Sequence, residues 1–186
     1  YRDKVLLATK LPVWDVKERK DMDRLLHEQL QKLQTETIDL YLFHSLNSKS
    51  WERLSAMEPL AWAEKKRDEG KIRYIGFSFH DEASAFKEII DSYADWDFCQ
   101  IQYNYMNEAV QAGTEGLRYA ASRGIGVVIM EPLLGGNLAG PPAPVQKIWD
   151  EAPAQRDAVD WALQWLWTQP EVGTVLSGMR DRKSVV

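Results

Sequence analysis

Cysteine is almost absent from the sequence, which has one, Cys99, among 186 residues. A single thiol excludes an internal disulfide and a cysteine-ligated metal cluster within these residues, and it agrees with a reducing compartment such as the cytoplasm. Cys99 lies in the middle of an apolar segment. We therefore interpret it as a small buried hydrophobic residue rather than a reactive thiol.

Long hydrophobic runs and excess positive charge are also lacking. The longest apolar segments have the length of a strand, far below the ~20 residues of a membrane-spanning helix, and we expect no signal peptide. Lys and Arg total 23 against 28 for Asp and Glu, which gives a net charge of −5. Binding to nucleic-acid phosphates or to an anionic membrane depends on positive charge. The sequence therefore predicts neither partner and favours a cytoplasmic location.

Six short apolar segments are present, and each is followed by a polar residue. In residues 38–44 apolar side chains occur at both odd and even positions, and the segment ends at His44. Apolar residues on both faces are typical of strands in a parallel sheet. The other five segments are 5–9, 72–77, 98–103, 125–130 and 173–176, and they are followed by Lys10, Ser78, Asn104, Glu131 and Ser177.

Segments with helical periodicity separate these strands. Apolar residues recur every three or four positions in 20–34, which predicts an amphipathic helix. A second helix is predicted over 51–69, with Ser50 as N-cap and a break or kink at Pro59, and Asp81 is expected to cap the next helix. Further helices are expected at 113–123, 146–151 and 156–168. Strands that alternate with helices indicate right-handed parallel crossovers.

The pattern predicts an α/β fold, namely an incomplete TIM (β/α)8 barrel with about six parallel strands in a single domain, residues 1–186. Functional residues of such barrels lie at the carboxyl ends of the strands, where this sequence has its polar residues. Eight strands would close the barrel, whereas six leave two open edges. We therefore expect two further strands before Tyr1 in a longer chain. A homo-oligomer or strand-swapped assembly is the alternative.

Taken together, these segments resemble those of the aldo-keto reductases. The similar segments, in the order of the family's strands three to eight with their loops, are 7–10, 38–44, 70–78, 100–104, 130–136 and 175–179. Residues 76–80 and 130–132 are similar to a bacterial branch whose members often carry a C-terminal ferredoxin-like tail, although the cysteines of that tail are not found here. The resemblance implies that the first two βα units and the C-terminal helix of the barrel lie outside this sequence.

The resemblance implies hydride transfer between the nicotinamide of NAD(P)H and a small-molecule carbonyl or alcohol, with a tyrosine as proton donor. A phenol has an ordinary pKa of about 10, and a neighbouring lysine ammonium lowers it by favouring the phenolate. Lys10 matches that lysine, and His44 matches the histidine that orients the carbonyl oxygen. The family's tyrosine and its aspartate match no position here. We therefore expect little or no turnover from these residues alone.

The resemblance also implies a site for NADP or NAD. Gln102 and Ser78 match the side chains that hold the nicotinamide carboxamide, Met130 replaces a tyrosine that stacks on the ring, and Phe79 replaces an asparagine. The residues that match the pyrophosphate loop and the start of the adenosine-phosphate segment are Leu133, Gly135, Gly136, Ser177, Gly178, Met179 and Arg180. The basic residues at 180–183 favour NADP, with a merely solvated cluster as the alternative.

Without the resemblance, these residues have less specific interpretations. A lysine at a strand end is more often solvated, and a histidine there is more often a core residue. A barrel remnant that binds a nucleotide or a protein partner without catalysis is therefore the alternative to a reductase. A metal hydrolase is disfavoured, because the strand ends lack a set of histidine and carboxylate ligands. The identity of the substrate is not indicated.

Overall fold

Six parallel strands pair in chain order in the computed structural model, which describes residues 2–178. They are β1 (Ala8–Leu11), β2 (Ile38–Leu46), β3 (Ile72–Phe79), β4 (Phe98–Gln102), β5 (Gly126–Met130) and β6 (Val172–Val175). Each neighbouring pair is parallel. The predicted α/β fold with six parallel strands, an incomplete (β/α)8 barrel, is confirmed.

Helices connect successive strands. They are α1 (Arg19–Leu33), α2 (Ser48–Ser55), α3 (Pro59–Asp68), α4 (Ala83–Asp91), α5 (Gly113–Ser122), α6 (Ala143–Asp150) and α7 (Ala158–Trp167). Short 3-10 helices occupy Arg2–Lys4, Val13–Asp15 and Leu134–Ala139. The last of these belongs to the long connection between β5 and β6, which also contains α6 and α7.

The core lies between the sheet and the helices. Alternate strand residues such as Tyr41, Phe43 and Phe77 point toward the helices and are at most 2 % exposed. Trp96 packs among them, with its ring centroid 4.8 Å from that of Phe77 and 6.0 Å from that of Phe43. Each buried aromatic side chain contributes roughly 1.5–3 kcal/mol through loss of apolar surface from water. This layer provides most of the apolar burial that holds the sheet and helices together.

The opposite face of the sheet, which would line the inside of a barrel, carries the remaining alternate residues. Residues paired in neighbouring parallel strands point to the same side. Lys10 pairs with Leu42, Leu42 with Gly76, and Gly76 with Phe98. Tyr74 on this inner face is 40 % exposed. The inner face is therefore less covered than the helix-facing core.

The first strand begins later than expected. The prediction of 5–9 was wrong, because β1 is Ala8–Leu11 and the two apolar residues before Leu7 are more than half exposed. The chain joins the sheet at Leu7, whose N–H donates to the Asp39 carboxylate at 2.8 Å and whose carbonyl accepts from the Asp39 N–H at 3.0 Å. A buried carboxylate thus sets the start of the strand, and Lys10 lies inside β1 rather than behind it.

The segment predicted as one helix with a break is two helices. Pro59 occupies the first turn of α3, where its missing N–H costs nothing, so the predicted break is confirmed. The N-cap of α2 is Asn47 rather than Ser50. The Asn47 side chain accepts from the Ser50 N–H at 2.9 Å, and the Ser50 hydroxyl accepts from the Asn47 N–H at 2.9 Å. Because the two residues cap each other reciprocally, the sequence alone allows either one to be chosen as the N-cap.

The predicted cap of the helix after β3 was also wrong. The N-cap of α4 is Glu82, which makes no side-chain capping bond. Asp81 accepts instead from the backbone N–H of Ser48 at 2.8 Å, across from the start of α2. Its carboxylate thus connects the ends of β2 and β3 at the edge of the sheet where the strands have their carboxyl ends, which we call the mouth.

We expect Gly76→Ala to destabilise the fold by about 1–3 kcal/mol through overpacking. A Cβ at position 76 would lie 2.6 Å from the Phe98 carbonyl oxygen and 2.7 Å from its ring carbons. Urea unfolding measures the loss. Gly140→Ala is the control, because a Cβ there meets nothing within 4 Å. Equal stability of the two variants would contradict the close packing of Gly76 against Phe98.

Candidate active site

Four residues predicted from the sequence lie on the inner face toward the carboxyl ends of β1 to β4. Lys10 pairs with Leu42, so His44 lies two residues beyond that level on the same side of β2. Ser78 pairs with Gln100 in the same way, and Gln102 lies two residues farther along β4. Two residues of strand span about 7 Å. The sheet therefore brings these four side chains to one end of one face.

A bulge in β2 shapes the surroundings of His44. Ser45 has a left-handed backbone with φ 58°, and the register shifts between Phe43 and Leu46. The Ser45 N–H donates to the Ser78 hydroxyl oxygen at 2.7 Å, and Ser78 is fully buried. Bulges of this kind re-aim side chains next to active sites. The Ser78 O–H remains able to donate to a further acceptor.

Positive charge and burial act together on His44. Burial lowers the pKa of His44, and the neighbouring Lys10 and His80 lower it further. Burial also lowers the pKa of Lys10. The Trp14 ring lies 4.9 Å from the His44 ring, tilted by 52°. At neutral pH His44 is therefore a neutral imidazole, whose ring N–H is able to donate to an oxygen.

Met130 and Gln102 lie side by side where β4 and β5 end. The two residues are paired in the register of these strands. The Gln100 side-chain amide donates to the Met130 sulfur at 3.2 Å. The Gln102 side-chain oxygen accepts from the Gln111 amide at 3.4 Å. This corner combines a thioether with three amide side chains.

The loop after β5 has an unusual run of left-handed backbone. Positive φ angles occur at Glu131, Leu134, Gly135 and Gly136, with 94° at Gly136. The Gly135 N–H donates to the Glu131 carboxylate at 2.5 Å. The Glu131 carbonyl accepts from the buried Asn104 side-chain amide at 3.0 Å. Glycine adopts such angles without the steric cost of a Cβ, which explains the pair at 135 and 136.

A cavity of about 710 Å³ lies between this loop, the end of β6 and α7. Six residues predicted from the sequence line it, namely Met130, Leu133, Gly135, Gly136, Ser177 and Gly178. Val159, Leu163 and Trp167 of α7 form an apolar wall. Lys10, His44, Ser78 and Gln102 do not line this cavity. The predicted site residues thus form two groups, which meet near Met130 because it pairs with Gln102.

Two of the predicted residues, Met179 and Arg180, lie outside the described residues, as does the rest of the basic cluster. Within residues 2–178, no group of three or more His, Cys, Asp and Glu side chains is placed to hold a metal ion. None of the helices in that range combines the length and apolar character needed to cross a bilayer.

Sequence reasoning missed several side chains at this mouth. His80 acts electrostatically on His44, Trp14 contacts His44, and Gln111 contacts Gln102. His80 had a recognisable signal, because it lies three residues after the end of the predicted strand 72–77. Trp14 and Gln111 lie in loops whose conformation the sequence does not indicate.

The chain belongs to the Aldo/keto reductase family, whose sequence model matches residues 1–185. This is a family of oxidoreductases that act on small-molecule carbonyls and generally bind NAD(P)H.

Solved aldo-keto reductases have the same fold. The holo form of AKR11C1 from Bacillus halodurans superimposes with a TM-score of 0.78 at 24% identity, covering 99% of this chain and 65% of that one. Its apo form gives 0.72 at 23% identity, with 99% and 64% covered. The thermostable Tm1743, in complex with the inhibitor epalrestat, gives 0.74 at 20% identity, with 100% and 65% covered.

The chain thus spans about 65% of the length of these structures. A comparison with curated proteins found no significant match.

We expect Lys10→Met to raise the pKa of His44 toward its ordinary value of 6.5, because a positive neighbour is removed. NMR titration of the imidazole resonances measures the change. Lys32→Met is the control, because Lys32 is an exposed residue of α1. An unchanged pKa of His44 in Lys10→Met would contradict the electrostatic coupling of the two strands.

The lowered pKa of His44 determines how its contribution to the stability of the fold changes with pH. The pKa of His44 in the folded chain is below 6.5, so acidification protonates the unfolded chain first. The stability that His44 contributes is present above about pH 6.5 and is lost as the pH falls toward the folded-state pKa. We expect Lys10→Met to lessen this loss, as urea unfolding at pH 7 and pH 5 would report.

Proposed function

We propose that this chain forms the nicotinamide-binding and carbonyl-orienting part of an NAD(P)H-dependent carbonyl reductase or alcohol dehydrogenase, with NADP preferred. The bound nicotinamide supplies or accepts the hydride. One observation carries the proposal: Lys10, His44, Ser78 and Gln102 share the inner face at the carboxyl ends of four adjacent strands. This is the end at which (β/α)8 barrels have their active sites.

The side chains present fit a pyridine dinucleotide. Gln102 offers an amide and Ser78 a hydroxyl donor to a carboxamide, and the Met130 thioether offers a polarisable surface for a flat ring. The neighbouring cavity of about 710 Å³ has the size of a small-molecule site. Its glycine loop allows the backbone to approach phosphate oxygens closely. These features support binding of the cofactor along β4, β5 and β6.

His44 and Lys10 act on the substrate side in this proposal. The neutral His44 imidazole donates a hydrogen bond to the carbonyl oxygen and so orients it for hydride transfer. The Lys10 ammonium would lower the pKa of the tyrosine hydroxyl that protonates the same oxygen, a tyrosine that matches no position in this sequence. Trp14, against His44, supplies an apolar surface beside the substrate.

A proton donor is not evident among the described residues. No tyrosine hydroxyl within residues 2–178 is hydrogen-bonded to Lys10 or His44. The Tyr41 hydroxyl is buried without a partner on the helix-facing side, and the Tyr103 hydroxyl pairs with Thr114 at 2.7 Å. We therefore propose that residues 1–186 form one partial barrel domain, which binds cofactor but turns over little substrate by itself.

We expect the purified chain to bind NADPH, with quenching of the fluorescence of its eight tryptophans. Gln102→Leu should weaken binding about tenfold, the effect of losing roughly 1.4 kcal/mol of hydrogen bonding. Gln31→Leu, on the exposed side of α1, is the control.

Steady-state assays with an aldehyde should give negligible NADPH consumption. Failure to bind NADPH would refute the cofactor assignment, and rapid aldehyde reduction would refute the proposed need for a proton donor from elsewhere.

A further inference from the structure

We propose that Gln111 is a positioning residue of the candidate nicotinamide site. Its amide fixes the orientation of the Gln102 side chain and connects that side chain to His80. The inference rests on the proposed function, because it assigns Gln111 a role in the same cofactor site. The ligand class is a pyridine nucleotide that carries a carbonyl group on its ring.

The backbone of Gln111 is strained. This residue lies in the loop between β4 and α5 with φ 59°, in the left-handed region that residues other than glycine rarely adopt. Such a conformation is strained and persists where the surroundings fix it, often at functional sites. Here Glu108 holds the loop, because its carbonyl accepts from the Thr114 N–H at 2.7 Å and from its hydroxyl at 3.1 Å.

The side chain of Gln111 contacts Gln102. The Gln111 amide nitrogen donates to the Gln102 side-chain oxygen at 3.4 Å. A primary amide is able to present either its oxygen or its NH2 group to a ligand. With its oxygen already engaged, Gln102 presents the NH2 group. Its NH2 group is therefore free to donate to a carbonyl oxygen on the ligand.

The carbonyl end of the Gln111 side chain is unpaired. Its oxygen is buried and has no hydrogen-bond partner. A buried carbonyl without a partner is unfavourable, because it has lost its hydrogen bonds to water. The neighbouring Gln111 side chain raises the pKa of the His80 imidazole, although His80 does not complete a hydrogen bond to this oxygen. Gln111 thus lies between the residue proposed to hold the carboxamide and a titratable group at the end of β3.

The charged surroundings of His80 agree with this arrangement. Burial lowers the pKa of His80, and Lys10 lowers it further, whereas the contact with Gln111 and the Glu131 carboxylate oppose that change. His44 on β2 faces it as well. These groups come from β1, β2, the loop before α5 and the residue after β5. Removing the Gln111 oxygen is therefore expected to lower the pKa of His80.

The test compares two ligands on wild type and on Gln111→Leu by tryptophan fluorescence. NADPH carries the nicotinamide, and 2′-phospho-ADP-ribose has the same nucleotide without the ring. We expect NADPH affinity to fall about tenfold in Gln111→Leu, with the affinity for 2′-phospho-ADP-ribose unchanged. Gln31→Leu serves as the control for both ligands. Equal weakening of both ligands, or of neither, would overturn the inference.

A second variant separates positioning from folding. Gln111→Glu keeps an oxygen for His80 but has no donor for Gln102, so it should weaken NADPH as Gln111→Leu does. NMR titration should show a lower pKa of His80 in Gln111→Leu and a higher one in Gln111→Glu. Unchanged His80 titration in both variants would refute the connection of Gln111 to His80.

The outcomes also separate this inference from the proposed function. If wild type binds neither ligand, the proposed function fails, and the role of Gln111 fails with it. If wild type binds both ligands and Gln111→Leu binds NADPH as tightly as wild type, only the present inference fails.

Discussion

The register of the parallel sheet is the constraint on which the candidate site depends. Residues paired in neighbouring strands point to the same side, so one set of alternate residues packs against the helices and the other set faces inward. A shift of one residue in any strand would exchange the two sets. It would bury Lys10 or His44 against apolar helices and bring an aromatic residue such as Phe43 to the inner face. The buried aromatic layer thus fixes the position of the polar side chains.

The chemical character of the side chains at the carboxyl ends of the strands changes along the sheet. Basic groups lie at the ends of β1, β2 and β3, amide and thioether groups follow at β4 and β5, and a glycine loop with the Glu131 carboxylate comes last. Such an order suits a substrate carbonyl at the ends of β1 to β3 and the flat ring of a separate nucleotide at the ends of β4 and β5. It also explains why the cavity beside α7 and the predicted catalytic residues are separate parts of one mouth, joined at Met130 and Gln102.

Much of the fold was predictable from sequence because buried parallel strands and amphipathic helices have strong periodicity. The six strands and the break at Pro59 followed from that signal. The start of β1 did not, since it depends on the buried Asp39 carboxylate binding the Leu7 N–H from another strand. The positions of Lys10 and His44 followed from the strands. Gln111 did not, because its left-handed loop has no local signature.

The central claim is that a nicotinamide ring lies on the inner face beside Met130. NMR of the methionine methyl groups during addition of NADPH tests it most directly, because an aromatic ring shifts the resonance of a methyl group on its face. The account predicts a large shift for Met130 and almost none for Met22, which is buried in α1. NADPH binding without a shift of the Met130 methyl resonance would contradict it.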